Sequence, residues 1–177
     1  MPVPARSAQT LGRMIRRSAM VDQTAFRDAC WKLYLEHCTH VRHHEVQRST
    51  VASSILTIAT AIIGLVTFDK AISSTDLPLT IFLVLLGCFG AVFSAKQYER
   101  ASLHTERARH FRDAVDSTLE GKPLKKLKEA ADAAHTKDFP RVEKLRINKF
   151  WVALYLLLAA IGIVLSIVSA VYPQNAP

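Results

Sequence analysis

Apolar positions along this chain fall into three unbroken blocks separated by amphipathic and polar stretches. Residues 51–68 read VASSILTIATAIIGLVTF, residues 77–95 read LPLTIFLVLLGCFGAVFSA, and residues 150–171 read FWVALYLLLAAIGIVLSIVSAV; none contains a charged side chain. Coiled as helices at about 1.5 Å per residue, blocks of this length extend roughly 27 to 33 Å, close to the hydrocarbon thickness of a bilayer. A soluble bundle would have to bury three apolar cylinders under amphipathic helix, and too little chain remains for that. The pattern therefore predicts an all-α membrane protein with three transmembrane helices. Ser53, Ser54, Thr57, Thr60 and Thr67 soften the first block, but a hydroxyl in a helix can bond the carbonyl one turn back, so the block remains able to span.

The helical period continues beyond the first two blocks. From Asp22, a plausible N-cap, to Val51 no Pro or Gly interrupts the chain, and Phe26, Cys30, Leu33, His37, Val41 and His44 recur at steps of three and four. After the second block Gln97, Ala101, His104, Ala108, Phe111 and Val115 do the same. A short connection between the blocks makes them a two-span hairpin. Its extensions should pack antiparallel as a coiled-coil-like stalk, because an apolar stripe so far from lipid needs a protein partner. With residues 51 and 95 at equal depth, Phe111 falls near Leu33 and Leu35, His104 near Val41, Arg42 and His44, and Glu99 within about a turn of Arg48.

Gly121 and Pro123 end that helix. Residues 124–134 then place Leu124, Leu127, Ala131 and Ala134 on one face among Lys125, Lys126 and Lys128, an amphipathic helix suited to the stalk or to the membrane surface. Asp138 and Pro140 mark the next start. Arg141, Lys144, Arg146 and Lys149 form a basic collar, and Lys149 with Trp151 should anchor the third span at headgroup depth. The organisation predicted is a basic flexible arm (1–21), a hairpin with stalk (22–120, transmembrane at 51–68 and 77–95), a basic amphipathic connector (121–149), a third span (150–171) and a short outer tail (172–177).

Charge sets the expected orientation. Residues 1–50 hold eight Lys and Arg, residues 96–149 hold fourteen, and Lys70 stands alone in the loop between the first two blocks. The positive-inside rule then places the N-terminus and the connector in the cytoplasm and the C-terminus outside. The net charge of +8 is what such orientation requires. No zinc finger, helix-turn-helix or RNA-binding aromatic pair accompanies it, so nucleic acid is not expected as a partner. Arg6, Arg13, Arg16 and Arg17 occupy an acid-free start with no apolar run behind them. That reads as an arm attracted to anionic headgroups, or as an organelle-targeting segment, rather than as a secretion signal.

Candidate chemistry is sparse. No nucleophile elbow, HExxH pair or glycine-rich phosphate loop is present, and the uncharged spans argue against a proton relay, so no enzyme activity and no cofactor are expected. Cys30, Cys38 and Cys88 form no paired motif for zinc or disulfide. His37, His40 and His44 share a helical face that His104 and His110 could meet; they are expected to be stalk surface and packing groups, with metal binding or a pH-sensitive joint as the sharper readings. Small residues recur every fourth position at Ser53, Thr57 and Ala61, at Gly87, Ala91 and Ala95, and at Gly162, Ser166 and Ala170. Such faces let helix backbones approach closely, either within one chain or between copies. Three thin helices leave no room for a channel in a single chain.

The run 96–113, KQYERASLHTERARHFRD, directly after a two-span hairpin, resembles the SMODS- and SLOG-associating two-transmembrane effectors, with a third span appended; it is also similar to small bacterial membrane proteins of the octameric RipA type. The likeness covers roughly residues 32–121 as an architecture, and Glu99, His104, Arg107 and Arg109 match best. The resemblance implies a prokaryotic inner-membrane protein that forms homo-oligomers and acts as an antiphage effector when a separate cytoplasmic sensor reports infection. It assigns no catalytic role. The appended span and the absence of a fused sensor domain depart from that pattern.

Overall fold

The computed structural model describes residues 5–68, 72–142 and 145–171, with side chains from residue 22 onward. Among the described residues there are four α-helices: α1 (Ala5–Thr67), α2 (Leu77–Ser117), α3 (Pro123–Asp138) and α4 (Ile147–Val171). Three of them, α1, α2 and α4, are long and apolar enough to cross a membrane. The helix α1 passes through Asp22, where the sequence suggests an N-cap. The predicted arm (1–21) and tail (172–177) lie outside the residues whose side chains are described.

Local chemistry explains the boundaries. A 3-10 turn, Ser74–Asp76, precedes α2, and the Asp76 carboxylate accepts a hydrogen bond from the Ser73 amide at 2.9 Å. Pro78 sits in the first turn of α2, where its missing N–H costs no helical bond. Beyond Ser117, Gly121 (φ 74°) and Lys122 (φ 49°) both take the left-handed conformation that reverses the chain. Pro123 then opens α3 at its first position.

The chain divides into two compact units. The first joins Met1–His40 to Leu103–Pro140, and the second joins Val41–Ser102 to Arg141–Pro177. In the second unit Ala52, Ile55, Ala59, Ile62 and Val66 of α1 are buried at alternating steps of three and four, together with Leu83 of α2 and Tyr155 and Leu158 of α4. The outer surface of this bundle is as apolar as its interior: Leu65 is 65% exposed, Val92 71% and Ile167 58%. Water would not tolerate such a surface on every helix, whereas lipid does. The chain is thus a multi-span, all-α membrane protein.

Candidate functional site

Three groups of side chains stand out. Within the first unit, α1 and α2 meet in part through imidazoles. His37 and His104 share a hydrogen bond, Nδ1 to Nδ1, at 3.1 Å. His40 stacks on His104 with ring centroids 4.7 Å apart, and Phe111 stacks on His37 at 5.6 Å. A hydrogen bond between two Nδ1 atoms needs one ring to donate and the other to accept, so at least one must be neutral. Among the described residues no group of three His, Cys, Asp or Glu side chains is arranged to hold a metal ion. Close by on α1, Tyr34 shares a hydrogen bond with Cys38, which together with partial burial raises its phenol above the ordinary value.

Ala108 and Val115 of α2 and Cys30 of α1 are buried in this unit, whereas Phe26 and Leu33, predicted on the same seam, are exposed. His104 faces His37 and His40, about one turn from its expected partners. Sequence pattern did not single out Asp116, which is 3% exposed. Its carboxylate accepts hydrogen bonds from the amides of Leu124 (2.9 Å) and Lys125 (3.1 Å), capping α3 from α2. The helix needs this, since Lys122 at its own N-cap provides no side-chain bond. A cavity of about 270 Å³ beside it is lined by Arg112, Asp113, Lys125 and Glu129 among others. Its charges largely satisfy one another through Arg112–Asp113 and Lys125–Glu129.

The second group is the glycine contact between α2 and α4 in the second unit. A Cβ on Gly87 would lie 2.6 Å from the Ala159 backbone nitrogen, one on Gly90 2.3 Å from the Tyr155 ring, and one on Gly162 2.8 Å from the Val84 nitrogen. The Ser166 hydroxyl donates to Thr80 Oγ1 at 2.9 Å. Partner numbers fall on one helix as they rise on the other, so α2 and α4 are antiparallel and in backbone contact. Of the predicted interface residues, Gly87 and Gly162 are consumed inside the chain, Ala91 packs against the bundle core, Ser166 is half-buried, and Ala95 and Ala170 face outward. The small stripe of α1 is the opposite case. Ser53, Thr57 and Ala61 are exposed, and a Cβ on Gly64 would meet nothing within 4 Å. The hydroxyls of Ser53 and Thr57 donate to carbonyls one turn back, leaving a smooth apolar surface.

The third group lies at the end of the spans. His44 bonds the Gln97 side chain at 2.7 Å, and Gln97 bonds Gln47 at 3.3 Å. The Arg48 guanidinium lies 5.8 Å from the Trp151 ring centroid. Glu99 pairs with Lys96, which holds its carboxyl below the ordinary range, and with Arg100.

Comparison with known proteins found no matching family model, no matching curated protein and no matching solved structure.

Proposed function

We propose that this chain is a non-enzymatic, homo-oligomeric protein of a bacterial inner membrane, in which several copies form a signal-responsive, pore-forming effector. The observation that carries the oligomer is the outward face of α1. Its small residues Ser53, Thr57, Ala61 and Gly64 are exposed, while on α2 and α4 the glycines of the corresponding stripes, Gly87 and Gly162, are filled from within. In lipid no hydrophobic force drives helices together, so smooth faces that permit close backbone contact are where association is strongest. The effector role rests on the resemblance of residues 96–113 alone. In this reading the charged extensions of α1 and α2 form a cytoplasmic stalk that receives a sensor protein. A scaffold or accessory subunit of a larger membrane complex is the second reading, favoured by the uncharged spans, which offer no ion a polar path.

Gly64→Leu tests the oligomer. The side chain has space in the monomer and would intrude only on a neighbouring copy, where overpacking costs about 1 to 3 kcal/mol per contact. Membrane insertion should be unaffected, because Leu suits lipid. Native mass spectrometry in mild detergent should show an oligomer for the wild type and smaller species for Gly64→Leu. Dye leakage from proteoliposomes with the sensor present separates the readings: leakage by the wild type supports the pore, and an oligomer that never leaks supports the scaffold. A wild type that stays monomeric at high protein-to-lipid ratio removes the homo-oligomer and with it the pore.

A further inference from the structure

The connector between α2 and α4 carries its cations in two chemically different settings. On α3, Lys125 pairs with Glu129 and Lys128 with Asp132, each one turn along, so much of the positive charge there is answered by the helix itself. Around the start of α4 the situation is reversed. Arg48 of α1 lies over the Trp151 ring, and no ion pair among the described residues involves Arg48, Arg146 or Lys149. Asn148 lies one helical turn before Trp151, on the same face of α4, and its side-chain oxygen is buried without a hydrogen-bond partner. That oxygen is an acceptor without a donor, and a half-turn about the last side-chain bond places the amide nitrogen there as a donor instead.

These groups sit where a span meets the aqueous side. Arg48 is three residues before the first apolar block and Trp151 is the second residue of the third. An arginine over an indole keeps its guanidinium edge available, and that planar fork suits two oxygens of a phosphate. The first turn of α4 contains no acidic residue that would repel an anion. Ile147 and Phe150, next to Asn148 and Trp151 in the chain, are both 69% exposed, which offers apolar surface to an acyl chain. Charge and position therefore select one occupant among anions.

We propose that Arg48, Trp151, Asn148, Arg146 and Lys149 form a binding site for the phosphate headgroup of an anionic phospholipid, in the leaflet nearest the start of α4. The site goes beyond the oligomeric reading and does not depend on it. It is tested on the full chain in nanodiscs of mixed phosphatidylcholine and phosphatidylglycerol, with retained phosphatidylglycerol counted by native mass spectrometry. Arg48→Gln and the double variant Arg146→Gln/Lys149→Gln should each lower retention, by about fivefold per cation removed, the factor expected of one basic residue at a charged membrane surface. Arg48→Lys should retain an intermediate amount. Lys125→Gln/Lys128→Gln, whose cations are paired on α3, should match the wild type. Wild-type retention in both the Arg48→Gln and the Arg146→Gln/Lys149→Gln variants overturns the proposal, as does an equal loss in the α3 variant, which would mean diffuse attraction. Displacement of the lipid by excess inorganic phosphate also overturns it, by assigning the site to a soluble anion. If Arg48→Gln does not fold, the exposed Arg146 and Lys149 pair decides the outcome.

Discussion

Asp116 illustrates how a single side chain can hold two elements together. It is buried on α2, yet both carboxylate oxygens serve the first amides of α3. Replacing it with Ala removes two charge-assisted acceptors from a helix end that has no cap of its own, and losing a cap typically costs about 1 kcal/mol. Hydrogen exchange at the Leu124 and Lys125 amides should therefore accelerate by about fivefold in Asp116→Ala, with the apolar spans unchanged. Equal exchange in both proteins would mean that α3 is held by something else. Asp116 was not legible in the sequence because a cap normally precedes its helix by a residue or two, and here the chain reverses through Gly121 and Lys122 in between. The histidines were legible only in part. Their shared face follows from their spacing, but whether His104 meets His37 or His44 depends on a shift of one or two turns, which the repeating pattern does not distinguish.

At the scale of elements, helices that are apolar all round conceal which side faces protein, and small residues reveal it incompletely. Three small-residue stripes are visible in the sequence, and two of them, on α2 and α4, carry glycines in backbone contact within the chain, while the third is open. Gly90 was missed because its partner is a large ring, Tyr155, rather than another small residue. Likewise the seam of α1 in the first unit turned out to bury Cys30 and half-bury Tyr34 while leaving Phe26 and Leu33 exposed. The predicted face included His37 and His44 but left out Tyr34, and a phenol ring with a polar partner also packs. These contacts predict opposite results for two equally small changes. Gly87→Ala would force its methyl against the Ala159 backbone, 2.6 Å from the nitrogen, and should lower stability by about 1 to 3 kcal/mol. Gly64→Ala enters open space within the chain and should leave the stability of the single chain unchanged or slightly raised, because Ala is the better helix former. Thermal unfolding in one detergent, wild type beside both variants, checks the pair; equal melting of all three would remove the close α2–α4 contact.

At the scale of the whole molecule the sequence was most informative, because a bilayer constrains a chain more strongly than water does. Every backbone polar group must be satisfied within the hydrocarbon, so three long uncharged blocks can only be helices, and three such helices are found. Their number determines where the basic residues lie. If all three cross, two crossings lie between the segments 1–50 and 96–149 and put them on one side, which collects 22 of the 23 Lys and Arg there and leaves Lys70 on the other. If either the first or the second block failed to cross, the division would fail, since the large basic segments would be separated. From this asymmetry and the positive-inside rule we propose a cytoplasmic N-terminus and an outer C-terminus. A reporter that fluoresces only in the cytoplasm should be bright when inserted at Gly121 and dark when fused after Pro177. Reversing the bias should matter only where translocation is decided. Adding several lysines to the loop that holds Lys70 should reduce the bright fraction at Gly121, whereas the same lysines placed on the exposed face of α3 should not. A fluorescent C-terminal fusion in the unaltered chain would mean an even number of crossings, and the softened first block, residues 51–68, would be the one that fails to span.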